Sequence, residues 1–169
     1  MQSVHSLLEY SDAMNLKLLD AAGEFTDAQL DQPFDIGMKT LRRTLIHIYV
    51  GEYVWLQRQL KNVEQRWLSE TDLLSIVQLR GKFEKLWVTR DEFVDDLVDE
   101  DVEGDQTYRD SKGSVYRAGL LDMILQGIVH SVHHRAQAST MLKQVGASPV
   151  DLDYMYWLRQ PVVEQPQGD

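Results

Sequence analysis

Residues 119–145 place apolar side chains at helical spacing for about seven turns, with no proline, and stop at Gly146, a good residue for the position just past a helix end. Three other segments have similar character. Residues 3–23 carry Val4, Leu7, Leu8, Met14, Leu18 and Leu19 on one stripe and reach Gly23. A second helix is expected from Thr40, a plausible N-cap, to about Lys61. A third is expected to start at SETD, where Ser69 and Asp72 resemble a capping box, and to carry Leu73, Ile76, Val77, Phe83, Leu86, Trp87, Phe93 and Leu97. Gly81 marks a point where it could kink or break. Four long helices and few strands predict an all-α domain spanning residues 1–169, a four-helix bundle.

The connections are short on structure. FTDAQLDQPFDIGMK holds Pro33 and Gly37 and reads as a link with one short helical turn. Thr107–Tyr108 and Val115–Tyr116 flank the turn residues DSKG, which predicts a small hairpin before the last long helix. After Pro149, LDYMYWLRQ reads as a short capping helix that buries its aromatics, and VVEQPQGD reads as a frayed tail.

Composition narrows the chemistry. The chain has no cysteine, which excludes a disulfide framework, a thiolate metal site and a cysteine nucleophile. Its net charge is −10, and residues 91–110 hold ten acids against one Arg. Such a segment repels phosphate, so nucleic acid is not an expected partner; a solvated helix end and loop is the expected reading. No apolar run is long enough to span a membrane and the N-terminus lacks signal-peptide features, so a cytoplasmic protein is expected.

Three of the five histidines fall within GIVHSVHHRAQ. On a helical wheel with His130 at 0°, Met123 and Met141 lie near about 20° and His134 near about 40°, within an apolar face. His133 falls near about 300°, beside Asp122, Gln126, Thr140 and Gln144. The wheel thus turns His130 and His134 inward and His133 to water. An inward i,i+4 pair suits chelation of one metal ion, and His47, midway along the second helix, is the best third ligand. From spacing alone, ordinary packing histidines remain an equal reading. Glu52 and Arg135 also fall on inward faces, and buried charges are normally paired, so the two are expected to pair across the bundle; the alternative is that Arg135 reaches outward or to a dimer partner. Gln137, one turn beyond His134, is a candidate to support the site.

Together these residues resemble the DinB/YfiT-like family of bacterial proteins, which is unrelated to the DNA polymerase sharing part of that name. HSVHHRAQ is similar to the family pattern H-x-x-H-H-R-G-Q, departing at Ala136, and at Val129, where Asn often precedes the first His. TLRRTLIHIYVGEYVW, LLEYSDAMN and GASPVDLDYMYWL resemble the family's second helix, start and close. The resemblance implies an up-down-down-up bundle with a long crossover between helices two and three. It also implies a divalent metal, nickel or zinc, held by His47, His130 and His134, with water completing the shell.

The reaction is less constrained. Some relatives are thiol-dependent S-transferases or isomerases, and many are described only as damage-inducible proteins or metal-dependent hydrolases. The leading expectation is a metal-dependent enzyme of the S-transferase kind, with a low-molecular-weight thiol as cosubstrate and a small electrophile as acceptor. A hydrolase using metal-bound water, with Glu52 as base if unpaired, is one alternative. A non-catalytic metal-binding dimeric stress protein is the other, motivated by a second stripe of Leu125, Ile128, Val129 and Val132 that could form a homodimer.

Overall fold

The computed structural model of the protein describes residues 2–62 and 72–160. Four long helices, α1 (Gln2–Gly23), α3 (Leu41–Gln59), α4 (Ile76–Asp95) and α6 (Leu120–Gln144), enclose the core. Three short helices, α2 (Asp27–Leu30), α5 (Asp99–Glu103) and α7 (Tyr154–Leu158), and one hairpin, β1 (Asp105–Arg109) with β2 (Val115–Gly119), complete the described elements.

Local chemistry sets the helix ends. Thr40 caps α3, its hydroxyl accepting from the Arg43 amide at 3.2 Å. Gly146, at φ +102°, ends α6: its amide donates to the Lys143 carbonyl and that of Ala147 to Leu142, the paired bonds of a Schellman turn. The same turn closes α3, but with Lys61 in the left-handed position at φ 57°. In the hairpin, Asp110 Oδ1 accepts from the Lys112 and Ser114 amides and Tyr108 pairs with Tyr116. Tyr108 then meets Trp55 edge-on, seating the hairpin on the end of α3.

Contacts between helix ends fix the directions. Arg90 on α4 grips Asp12 on α1 through two 2.7 Å bonds, and Arg80 pairs with Asp20, so α1 and α4 are antiparallel. Gln59, ending α3, donates to the Met123 carbonyl near the start of α6, so those two are antiparallel. Arg42, beginning α3, donates to the Leu74 carbonyl just before α4, so α3 and α4 run parallel. The order is up-down-down-up. A parallel α3–α4 pair requires a connection that travels back along the bundle.

Three expectations change. The Ser69 cap lies outside the described residues, as does the tail at 162–169. The helix expected from SETD has its cap six residues beyond Ser69 and starts at Ile76, with a capping box of Ser75 and Gln78. The Leu74 carbonyl is taken by Arg42 rather than by a helix, and Leu73 stands 78% exposed. α4 is continuous through Gly81, whose surroundings are open. Finally, α7 buries its aromatics only in part: Tyr154 and Trp157 lean on Tyr10, while Tyr156 stays exposed under Arg159.

Candidate metal centre

The longest contact in the bundle is between α3 and α6, and the three inward histidines lie on it. His47 comes from the first half of α3; His130 and His134 come from the middle of α6, one turn apart. The ring centroids are 5.0 Å apart for His47–His130, 4.4 Å for His47–His134 and 4.5 Å for His130–His134. One nitrogen from each ring lies within 4.8 Å of one from each of the others. All three side chains are half-buried, between core and solvent.

The electrostatics favour neutral rings at His130 and His134. Burial, then the neighbouring imidazoles, pushes His130 down to about 4. Burial also lowers His134, against the pull of its hydrogen bond to Gln137. Neutral imidazole is the form that offers a lone pair to a metal. His130 Nδ1 is buried with no hydrogen-bond partner, so protein groups do not use up the cluster's polar capacity. Three imidazole nitrogens converging without a carboxylate suit a first-row divalent ion, with positions left over for a small ligand. The residues present could therefore hold a metal ion.

Gly51 makes the geometry possible. It stands one turn after His47 on the same face of α3, and a Cβ there would fall 2.3 Å from His130 Cε1 and Nδ1. Only a glycine lets the His130 ring lie this close to the helix backbone. The sequence offered a signal in the i,i+4 spacing from His47, but not the identity of the ring that fills the gap.

The DinB family model matches residues 1–166. The chain belongs to the DinB family. A crystallised DinB-like protein from Bacillus cereus is similar in fold, with a TM-score of 0.72 at 20% identity, covering 89% of this chain and 96% of that one. No curated protein matches the chain.

Within this DinB chain the other expected site residues divide. Gln137 joins the cluster: its Oε1 lies 2.8 Å from His134 Nδ1 and its Nε2 lies 3.0 Å from His133 Nε2. His133 is exposed, as the wheel required, yet it is not remote. Glu52, half-buried, and Arg135, fully buried, do not form the expected direct ion pair. Asn15 stands between them, donating to Glu52 Oε1 at 2.8 Å and accepting from Arg135 Nη1 at 3.1 Å. Arg135, 1% exposed, also donates to the Ser11 hydroxyl and carbonyl. Glu52 accepts from Ser131 at 2.7 Å and from Trp87 Nε1 at 3.2 Å. The physical reason is placement. The charges come from α3 and α6, but α1 presents an amide that can serve both at once, sparing the two head groups a contact geometry neither backbone supplies. Burial lowers the Arg135 guanidinium and the field of Glu52 opposes this, so the charges still feel each other. Asn15 and Ser131 were not anticipated; each is a small polar residue on an inward face, where it is normally partnered.

Proposed function

We propose that the protein is a metal-dependent enzyme whose centre is His47, His130 and His134, holding one nickel or zinc ion. The reading favoured is a transferase that joins a low-molecular-weight thiol to a small electrophile. The observation that carries it is the convergence of three imidazoles, one with an orphaned buried nitrogen, at the α3–α6 seam. Bound there, a divalent ion would lower the pKa of a thiol or water occupying its open position. The residues of the chain do the rest. His47, His130 and His134 offer the lone pairs, Gly51 leaves room for the His130 ring, and the Glu52–Asn15–Arg135 network locks the helices that carry the ligands.

Glu52 separates this reading from a hydrolase. A general base must be able to take a proton, and both Glu52 oxygens already accept from Asn15, Ser131 and Trp87. That occupancy disfavours Glu52 as a base for water attack. The missing cysteine fits a thiol that arrives with a cosubstrate. The second reading is a non-catalytic metal-binding dimer in the cytoplasm. What favours it is the pair Val129 and Val132 on α6, 61% and 46% exposed; Ile128, expected on the same stripe, is instead packed in the core with Val4 and Leu8.

Metal analysis of purified wild type and His130→Ala, followed by a panel of thiol–electrophile pairs and esters, tests these readings. Stoichiometric metal lost in His130→Ala, together with thiol consumption by wild type only, is the expected result. Metal-loaded protein that turns over neither class would favour the dimer. Wild type without stoichiometric metal after supplemented expression would overturn the centre itself.

A further inference from the structure

His133 is the one histidine of the motif with no place among the three converging rings. It nevertheless touches the site through Gln137, and the atoms involved are specific. Gln137 Oε1 can only accept, so its 2.8 Å contact requires the proton of neutral His134 to be on Nδ1. Nε2 of His134 then carries the lone pair. The other end of the same amide, Nε2, can only donate, and its 3.0 Å contact is with His133 Nε2. With its own proton on Nδ1, His133 offers Nε2 as an acceptor and so selects which way the Gln137 amide faces. The reversed amide would present N–H to His134 Nδ1, force the proton to His134 Nε2 and remove the lone pair available beyond Nδ1.

The amide is also confined from a third side. Gly37, at φ 51°, has no Cβ; one built there would lie 2.8 Å from Gln137 Oε1 and 3.2 Å from both the Met141 methyl and Thr44 Oγ1. The loop bearing Gly37 is pinned to α3, because the Met38 amide donates to Thr44 Oγ1, which itself donates to the Thr40 carbonyl. Gln137 thus lies in a slot between that loop and the exposed edge of α6, with His133 closing the open end.

We propose that His133 is a positioning residue: through the Gln137 amide it sets the tautomer of His134, keeping the proton on Nδ1 and the Nε2 lone pair free for the cluster. Partners of this kind orient a ligating ring and raise its basicity, and their loss typically weakens metal binding about 10–100-fold. The proposal rests on the metal reading for its consequence, but not for its first observable, which belongs to the metal-free protein.

The test is long-range 1H–15N correlation of the histidine rings in metal-stripped protein in alkaline buffer, with wild type, Gln137→Leu, His133→Phe and His133→Gln. All of these positions lie at or near the surface of α6, and amide spectra report whether each variant is folded. In wild type, His134 is expected to show a protonated Nδ1 and an unprotonated Nε2. Gln137→Leu and His133→Phe are expected to move it toward the opposite tautomer or a mixture. His133→Gln, which restores an acceptor of similar reach, is expected to return it. Zinc competition against a chromophoric chelator is the second readout, with a drop of about 10-fold or more in the two loss variants and recovery in His133→Gln. A wild-type His134 with its proton on Nε2 overturns the proposal, and so does a His133→Phe protein with the wild-type tautomer and zinc affinity. If the tautomers behave as expected but wild type holds no zinc, the positioning stands and the metal reading above is what fails.

Discussion

Two polar clusters share the same pair of helices and have opposite characters. Toward the surface, His47, His130 and His134 converge on one another, and a buried nitrogen is left without a protein partner. On the neighbouring positions, Glu52 and Arg135 meet a ring of donors and acceptors drawn from all four long helices: Ser11 and Asn15 on α1, Glu52 on α3, Trp87 on α4, and Ser131 and Arg135 on α6. His130 and Ser131 are consecutive, as are His134 and Arg135, so a rotation of about 100° along α6 separates a ring of the triad from a residue of the Glu52–Arg135 network, in which Arg135 Nη2 is itself buried without a hydrogen-bond partner. The lesson is that burial of polar residues is not by itself a mark of function. A network whose carboxylate is bonded from three helices holds those helices together; imidazoles that converge on one another are where an outside partner fits.

That contrast can be broken by substitution. Removing Glu52 should do the most to the fold: Glu52→Ala takes from buried Arg135 the carboxylate that acts on it most strongly and strands three donors, with an expected loss of about 3 kcal/mol or more in denaturant unfolding. A loss under about 1 kcal/mol would show the inner network to be slack. His47→Ala should do the reverse. Stoichiometric metal is expected to vanish by elemental analysis, while the metal-free protein unfolds within about 1 kcal/mol of wild type.

Gly51→Ala sets local propensity against the site. Alanine inside a helix is favoured over glycine by about 1 kcal/mol, but its Cβ would displace the His130 ring. Zinc affinity measured by competition is expected to fall about 10-fold, whatever happens to thermal stability. Acid sharpens the comparison further. Folded His130 takes a proton only near pH 4, whereas an unfolded histidine does so near 6.5. Its contribution to metal-free stability is therefore full above about 6.5 and declines as pH falls toward 4. Asp12 acts in the opposite sense, because burial raises its carboxyl to about 6 against the pull of Arg90, so its contribution declines as pH rises toward 6. The measurement is consequently the difference in unfolding free energy between wild type and His130→Phe across this range, in which Asp12 cancels. The smallest effect lies outside both clusters: Lys61→Gly at the left-handed end of α3 is expected to gain up to about 1 kcal/mol.

Much of this architecture was legible along the chain. Helical period, Thr40, Gly146 and the DSKG turn gave α1, α3, α6 and the hairpin within a residue or two, because caps and turns act over three or four neighbours. The start of α4 was misplaced since two Ser-x-x patterns compete there, and the choice between them rests on Arg42, which lies far away in sequence and holds the Leu74 carbonyl. The wheel separated His130 and His134 from His133 correctly by face. It was silent on what His133 and Gln137 do together, because a wheel gives direction and not the reach of a side chain.

The sequence alone determined which residues face inward, and hence that three histidines and two opposite charges would enter one bundle. That follows from period, which depends only on spacing. Only the tertiary structure decided how those residues are shared out. It set Asn15 between Glu52 and Arg135 instead of letting them touch, and it pressed His130 against the bare backbone of Gly51. Both outcomes depend on the depth and register at which α1, α3 and α6 pack, and no single helix carries that information.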